Sequence, residues 1–325
     1  MVQGSSPGEE NLTFLLCELL DANTTSFHAL RYPLSQAKSD LEASDAGLTV
    51  DVEFETHEHS KHVESRYSGA DLGIVLAVNH PVLGHSRRGI LVQAKRLIGS
   101  GKKREYGLYS DYKYFDRQQA DFLEALQQGF GVYNSVFYLW YNPPSTAFRD
   151  DDAKILKAYE AAGASTHRHW HRMHPFLEDL IEMGLTRWPF TAWSGRMGAS
   201  EDDDEGRARE WRHSQPALRL SALDIVLSVA SHGPPQLKAM YDAMLARKSW
   251  PTFSPFADFL LVALASSRYG SDNPDWIRLT EGQKVRVPAP KQATPHRSAI
   301  DELESVPTPR HTLRVTVRST LPQVG

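Results

Sequence analysis

Two apolar runs lie close together in this chain: "ADLGIVLAV" (Ala70 to Val78) and "GILVQA" (Gly89 to Ala94), joined by the polar stretch "NHPVLGHSRR". A strand with one solvated face alternates apolar and polar residues. A run that is apolar on both faces, as both are after Asp71, must be covered on both sides. The short polar connection predicts a hairpin of two central strands, so the chain around it has to supply covering layers.

The flanks supply them. Residues 9–22, "EENLTFLLCELLDA", carry Leu12, Leu15, Leu16, Leu19 and Leu20 at helical spacing, and a second helix is expected over Leu34 to Ala43. "LTVDVEFETHEH" alternates, with Val50, Val52 and Phe54 on one face and Asp51, Glu53, Glu55 and His57 on the other, which predicts a half-buried strand with an acidic face. A helix over Arg117 to Gly129 and a strand over Ser135 to Tyr141 follow. The predicted order over residues 9 to 142 is therefore helix, three strands, helix, strand, an α/β layer architecture.

Beyond that point helical patterns dominate, at Ala153 to Ala162, Pro175 to Met183, Ala217 to Ser231, Pro235 to Lys248 and Pro255 to Arg268. No further strand is expected until "TLRVTVRS" near the C-terminus. It is preceded by "VRVPAPKQATPHRS", a proline-rich linker or strap. The expected division is a core over 1–145, a helical region for substrate, partner or regulation over 146–280, and a proline-rich segment with a terminal strand over 281–325.

Two polar side chains end the second apolar run. Residues two apart on a strand share a face, so Gln93 and Lys95 project together while Val92 and Ala94 point into a packed layer. In an antiparallel hairpin the beginning of the first strand lies beside the end of the second, which brings Asp71 next to Gln93 and Lys95. A carboxylate, an amide oxygen and an ammonium at the end of a sheet can hold a hard divalent cation and set a lysine beside an attacking water. The surrounding window is basic: from Leu72 to Arg104 there is no Asp or Glu, while Arg87, Arg88, Lys95, Arg96, Lys102, Lys103 and Arg104 supply seven positive charges. Arg87 and Arg88 in the hairpin loop, Arg96, and Lys102 to Arg104 beyond the strand are the expected phosphate contacts.

On these residues, "SGADLGIVL" followed by "ILVQAKRL", the chain resembles the PD-(D/E)XK, or restriction-endonuclease-like, nuclease superfamily, in a branch with a Gln-X-Lys variant of the motif. The resemblance covers about residues 9 to 142 and includes the order of elements. It implies a mixed central sheet flanked by helices, with a mostly helical C-terminal region. It also implies a Mg²⁺-dependent endonuclease, with Mn²⁺ as an alternative metal, acting on DNA in preference to RNA. Asp71, Gln93 and the Ala94 carbonyl would hold the metal, and Lys95 would act on the water or the developing charge. Gln93 stands where the family usually has Asp or Glu. An upstream acid is expected to make up the charge, Glu64 in "ESRYSGAD" first and Glu18 on the first helix second. By the same resemblance the expected role is bacterial defence against phage or foreign DNA, with a regulatory protein partner and a homodimer among the expectations. The alternative is a non-catalytic protein of nuclease fold that binds nucleic acid or a defence partner.

Other sites are less well supplied. "THRHWHRMH" (His167, His169, His171, His174) and "THEHSKH" (His57, His59, His62) are dense in histidine, but neither has the H-E-x-x-H form or a paired Cys-x-x-Cys, so both read as polar surface or phosphate-facing segments. "REYGLYSDYKYFDRQ" interleaves Tyr106, Tyr109, Tyr112, Tyr114 and Phe115 with basic residues, which suits either base stacking or an aromatic lid on a core, and Gln118 or Gln119 is expected near the site. The one G-x-S-x-G string, "GSSPG" at Gly4 to Gly8, follows no predicted strand and so reads as no nucleophile elbow, and no P-loop occurs.

Composition narrows the class. The net charge of −4 argues against coating nucleic acid by bulk electrostatics, and 41% hydrophobic content suits a sizeable core. The single cysteine, Cys17, lies in an apolar run and reads as core. With no signal-peptide pattern and no stretch of roughly 20 apolar residues, the expected location is the cytoplasm, with no membrane partner.

Overall fold

A computed structural model describes residues 9–20, 49–59, 70–80, 84–99, 105–143, 147–159, 218–246, 254–255, 263, 269–286 and 309–320. The frame is a mixed seven-stranded sheet: β1 (Thr49–Glu58), β2 (Leu72–His80), β3 (Gly84–Arg96), β4 (Val136–Tyr141), β5 (Leu218–Ala222), β6 (Ser254–Pro255) and β7 (His311–Thr320). Its spatial order is β1-β7-β2-β3-β4-β5-β6. Five helices are placed with it: α1 (Glu9–Leu20), α2 (Arg117–Phe130), α3 (Leu223–Val229), α4 (Leu237–Ala246) and α5 (Pro274–Thr280). Residues 150–159 are helical as well. The protein is thus of the α/β class.

The two apolar runs form the antiparallel pair β2–β3, with Leu72 opposite Val92 and His80 opposite Gly84. The strands continue further into the polar connection than its composition suggests, so Arg87 and Arg88 lie within β3 and not in a hairpin loop. Successive residues of β3 serve opposite faces. Ile90, Val92 and Ala94 join Leu72, Ile74 and Leu313 in a core that Leu16 and Cys17 of α1 close. Leu91 faces the other way, into a core with Tyr138 and Trp140 of β4, Leu123 and Leu126 of α2, and Trp276 and Leu279 of α5. Helices therefore cover both faces, as two central strands require.

Helix α2 is defined by its ends. Asp116 caps it by accepting from the Gln118 N–H, and Gly131, at φ 65°, closes it in the left-handed region with its N–H bonded back to Gln127 and Gln128. Helix α5 starts in the same manner, with Asn273 accepting from Asp275 and Trp276 N–H groups and Pro274 at its first position. It lies directly on β2 and β3. The Trp276 indole N–H donates to the Gly89 carbonyl at 3.0 Å, and a Cβ on Gly73 would come within 2.0 Å of the Thr280 carbonyl oxygen.

The region after residue 145 differs from its helical expectation. Leu218–Ala222, expected as the start of a helix, is a strand paired antiparallel with β4, and Ser254–Pro255 extends the sheet by one more. The reason is tertiary: all of β4, "VFYLWY", is buried, and its outer edge needs a hydrogen-bonding neighbour that helical propensity in the next segment cannot provide. The terminal strand is longer than expected and is not peripheral. β7 inserts between β1 and β2, parallel to β2 and antiparallel to β1. Its arginines answer the acidic face of β1: Arg318 donates to Glu53 at 2.8 Å and Asp51 at 3.3 Å, and Arg314 to Glu55 at 3.2 Å. The expected helices at Leu34–Ala43 and Pro175–Met183 lie outside the described residues, as do residues 287–308 of the proline-rich stretch.

Candidate functional site

The sheet register brings the predicted residues together. Leu72 pairs with Val92, so Asp71, one residue earlier, comes opposite Gln93 at the open end of the hairpin. There the Asp71 Oδ2 accepts two hydrogen bonds, one from the Gln93 side-chain amide and one, at 2.7 Å, from the Ala94 backbone N–H. The terminal strand holds the acid from its other side, since the His311 N–H donates to the Asp71 carbonyl at 3.1 Å. Asp71 is thus gripped by both of its neighbouring strands.

Gln93 and Lys95 are deeply buried, at 2% and 6% exposure, on the face shared with Leu91. Gln93 also donates from Nε2 to the Ala94 carbonyl at 3.3 Å, while its Oε1 is enclosed with no hydrogen-bond partner among the described residues. Burial of the charged form, the largest effect, pushes the Asp71 carboxyl from its ordinary 3.8 up to about 6. The Lys95 ammonium and the Ala94 N–H pull it back down, and Glu9 and Glu10 push it up again. Although Asp71 as a residue keeps some surface, its carboxyl group is hemmed in by protein.

Among the described residues, the acid that joins this cluster is one that sequence spacing did not single out. Glu9, in the first turn of α1, lies 3.6 Å from Lys95 Nζ through one oxygen and accepts the Arg96 N–H at 3.1 Å through the other. Helix α1 is fixed over the sheet by Leu16 and Cys17 and by the Tyr141 hydroxyl, which donates to Thr13 at 2.9 Å. The leucine spacing marks Leu12 and Leu16 as the sheet side of that helix, but only their packing sets its first turn over the strand ends. Of the two acids expected instead, Glu64 lies outside the described residues and Glu18 is half-buried one turn beyond Leu15.

The expected phosphate contacts divide. Arg88 is buried, at 6% exposure, and its guanidinium donates at 2.8 Å to both the Ala263 and Tyr269 carbonyls. It pins the C-terminal half to the sheet, on the face opposite Gln93 and Lys95, and its burial brings its pKa down to about 10 against the pull of Asp272. Arg87 is ion-paired with Glu281, which also takes Arg314 at 2.9 Å. These two arginines therefore do structural work, for the same reason that they are in the strand and not in a loop. Arg96 is half-buried beside Glu9, and Lys102, Lys103 and Arg104 lie outside the described residues.

The aromatic segment is mostly lid. Tyr112 packs on Trp140 with ring centroids 4.3 Å apart and donates to Asn142 at 2.7 Å, and Phe115 packs on Tyr138 at 5.7 Å. The Phe115 N–H closes a turn on the Tyr112 carbonyl, so Lys113 and Tyr114 stand out at its tip, Tyr114 at 65% exposure. Gln119 is buried and Gln118 exposed on α2.

Oxygen donors suited to a hard cation are present: the Asp71 carboxylate, the Gln93 Oε1, unpartnered among the described residues, and the Ala94 carbonyl, with Glu9 beside Lys95. This donor chemistry fits Mg²⁺. Among the described residues no group of three or more His, Cys, Asp or Glu forms a metal cluster. In the first histidine segment, His57 is exposed, His59 is bonded to the Thr312 hydroxyl at 2.8 Å, and His62 lies outside the described residues with the entire second segment. Among the described residues no helix is long and apolar enough to cross a membrane. What fold and site define is an α/β protein with an acid, an amide and a lysine gathered at the sheet end. No protein-family model, no curated protein and no solved structure matches the chain.

Proposed function

We propose that the chain is a metal-dependent nuclease of restriction-endonuclease-like fold that hydrolyses phosphodiester bonds, in DNA in preference to RNA, and serves in bacterial defence against phage or foreign DNA. The observation that carries the reading is the cluster of Asp71, Gln93, Lys95 and Glu9 across the adjoining ends of β2, β3 and α1. Asp71, Gln93 and the Ala94 carbonyl would hold Mg²⁺, which when bound lowers the pKa of water and neutralises phosphate charge. Glu9 takes the role first expected of Glu64. Lys95, held at its base by the β3 ladder and at its tip by Glu9, offers an ammonium to the attacking water or to the developing charge on phosphate. Its ion pair with Glu9 balances its charge while no substrate is bound.

A second reading is favoured by one specific feature. The Gln93 amide presents its nitrogen to Asp71, which leaves the acid satisfied by protein donors alone, the arrangement expected of a nuclease fold that binds nucleic acid or a partner without cutting. Purified protein incubated with supercoiled plasmid, single-stranded DNA and RNA, in Mg²⁺, Mn²⁺ or EDTA and beside Lys95→Ala, separates the two. The nuclease reading expects divalent-dependent cutting that Lys95→Ala abolishes in a folded protein. Binding without cutting favours the second reading, and cutting retained in both Lys95→Ala and Asp71→Ala removes the assignment of the site.

A further inference from the structure

Gln93 has a neighbour that the nuclease motif does not include. Tyr138 stands directly opposite it in the parallel β3–β4 ladder, on the same face of the sheet. The Tyr138 ring is fully buried, stacked on Trp140 with centroids 5.4 Å apart and planes at 20°, and tilted against Phe115. Its hydroxyl has no hydrogen-bond partner among the described residues, and neither has the Gln93 Oε1. A buried donor and a buried acceptor, both unsatisfied and both on one face at paired register, call for a common explanation. The hydroxyl also feels the Asp71 carboxylate, which adds to burial in holding it protonated.

We infer that Tyr138 is the positioning residue for Gln93: its hydroxyl engages the end of the amide turned away from Asp71 across one buried water. A phenol both donates and accepts, so it can serve either orientation of that amide. With the oxygen toward Tyr138, the nitrogen donates to ionised Asp71, as it does here. With the amide reversed, the nitrogen donates to Tyr138 and the oxygen stands beside the Asp71 carboxylate, where a hard cation needs it. Only this second orientation rests on the proposed nuclease reading; the contact between hydroxyl and amide does not.

The test is a comparison of the full-length ¹⁵N-labelled protein with Tyr138→Phe, which keeps the ring and its stacking. The Gln93 side-chain amide signals are assigned by their loss in Gln93→Leu. Removal of the hydroxyl, which holds the amide oxygen and with it the orientation of the whole amide, is expected to shift those signals and to speed their exchange with water. Unchanged shifts and exchange would overturn the inference. Should Tyr138→Phe not fold, the wild type decides alone: an engaged hydroxyl gives a slowly exchanging proton with cross-peaks to the Gln93 side chain, and a hydroxyl without one refutes the contact. Mg²⁺ added to the wild type is expected to move the amide signals, and signals that stay in place remove the second orientation. No readout depends on cleavage. A protein that cuts nothing while its Gln93 amide responds to Tyr138→Phe retains this inference and loses the nuclease reading, and an active nuclease with an unresponsive amide does the reverse.

Discussion

Asp71→Asn separates what this acid costs the fold from what it does for the chemistry. Asparagine keeps the shape and can accept the Ala94 and Gln93 donors through its one oxygen, but it carries no charge to desolvate. The wild-type carboxyl is raised from 3.8 to about 6, chiefly by burial. At about 1.4 kcal/mol per pH unit of displacement, its ionisation at neutral pH costs the folded state about 3 kcal/mol. The sign follows from the direction of the shift. The folded protein binds this proton more tightly than the unfolded chain, so the contribution is fully favourable below pH 3.8 and is lost as pH rises through about 6. The asparagine variant lacks the loss. Urea denaturation of both proteins in EDTA from pH 4 to pH 8 should therefore show the variant gaining on the wild type by about 2–3 kcal/mol, most of it below pH 7. In thermal melts the gain is on the order of 5 °C. Mg²⁺ should restore stability to the wild type and not to the variant, and cleavage should be lost in the variant at every pH. A stability difference independent of pH, or a variant that loses ground as pH rises, would refute the reasoning that Asp71 is a desolvated acid.

Two other substitutions test the frame around the site. Arg88→Met keeps the length of the buried stem but leaves the Ala263 and Tyr269 carbonyls without their donors, and should lower stability by about 3 kcal/mol in urea titrations; a change within 0.5 kcal/mol, roughly the scatter of an ordinary surface substitution, would show that this clamp is ornamental. Gly73→Ala puts a methyl against the Thr280 carbonyl and should cost about 2 kcal/mol as the end of α5 is displaced from β2, seen as a lower urea midpoint on denaturation.

The elements described within residues 9–142 were largely legible in sequence because their signals are local. The leucine spacing of α1, the alternation of β1, the two-sided apolar runs of β2 and β3 and the amphipathic α2 each lie within a dozen or so residues. The hairpin register turned local strands into a site, and so Asp71 beside Gln93 followed from spacing alone. What lay hidden was long-range. Nothing in "LRLSA" announces that β4 needs an edge partner, and nothing near Arg88 announces the two carbonyls it meets some 180 residues later. Glu9 was hidden differently. Its residue type is common and its helix was foreseen, but only the packing of Leu16 and Cys17 fixes where the first turn of α1 overhangs. Helix α5 was not foreseen, although "NPDW", an N-cap followed by proline, carries a local signal for it.

The site is also more dependent on the whole chain than its motif suggests. Asp71 sits one residue before β2, where a strand end would ordinarily fray, and two neighbours hold it there: β3, through the Ala94 N–H and Gln93 amide on its side chain, and β7, through the His311 N–H on its carbonyl. β7 in turn is held by β1, whose acidic face would repel itself without Arg314 and Arg318 opposite. The acidic alternation of β1, the arginine alternation of β7 and the position of Asp71 are therefore one arrangement, in which charges at the sheet edge set the register that aims a carboxylate at its centre. A chain with the same Asp and Gln-X-Lys but no strand to fill the place of β7 would keep the motif and lose one of the two grips on its acid.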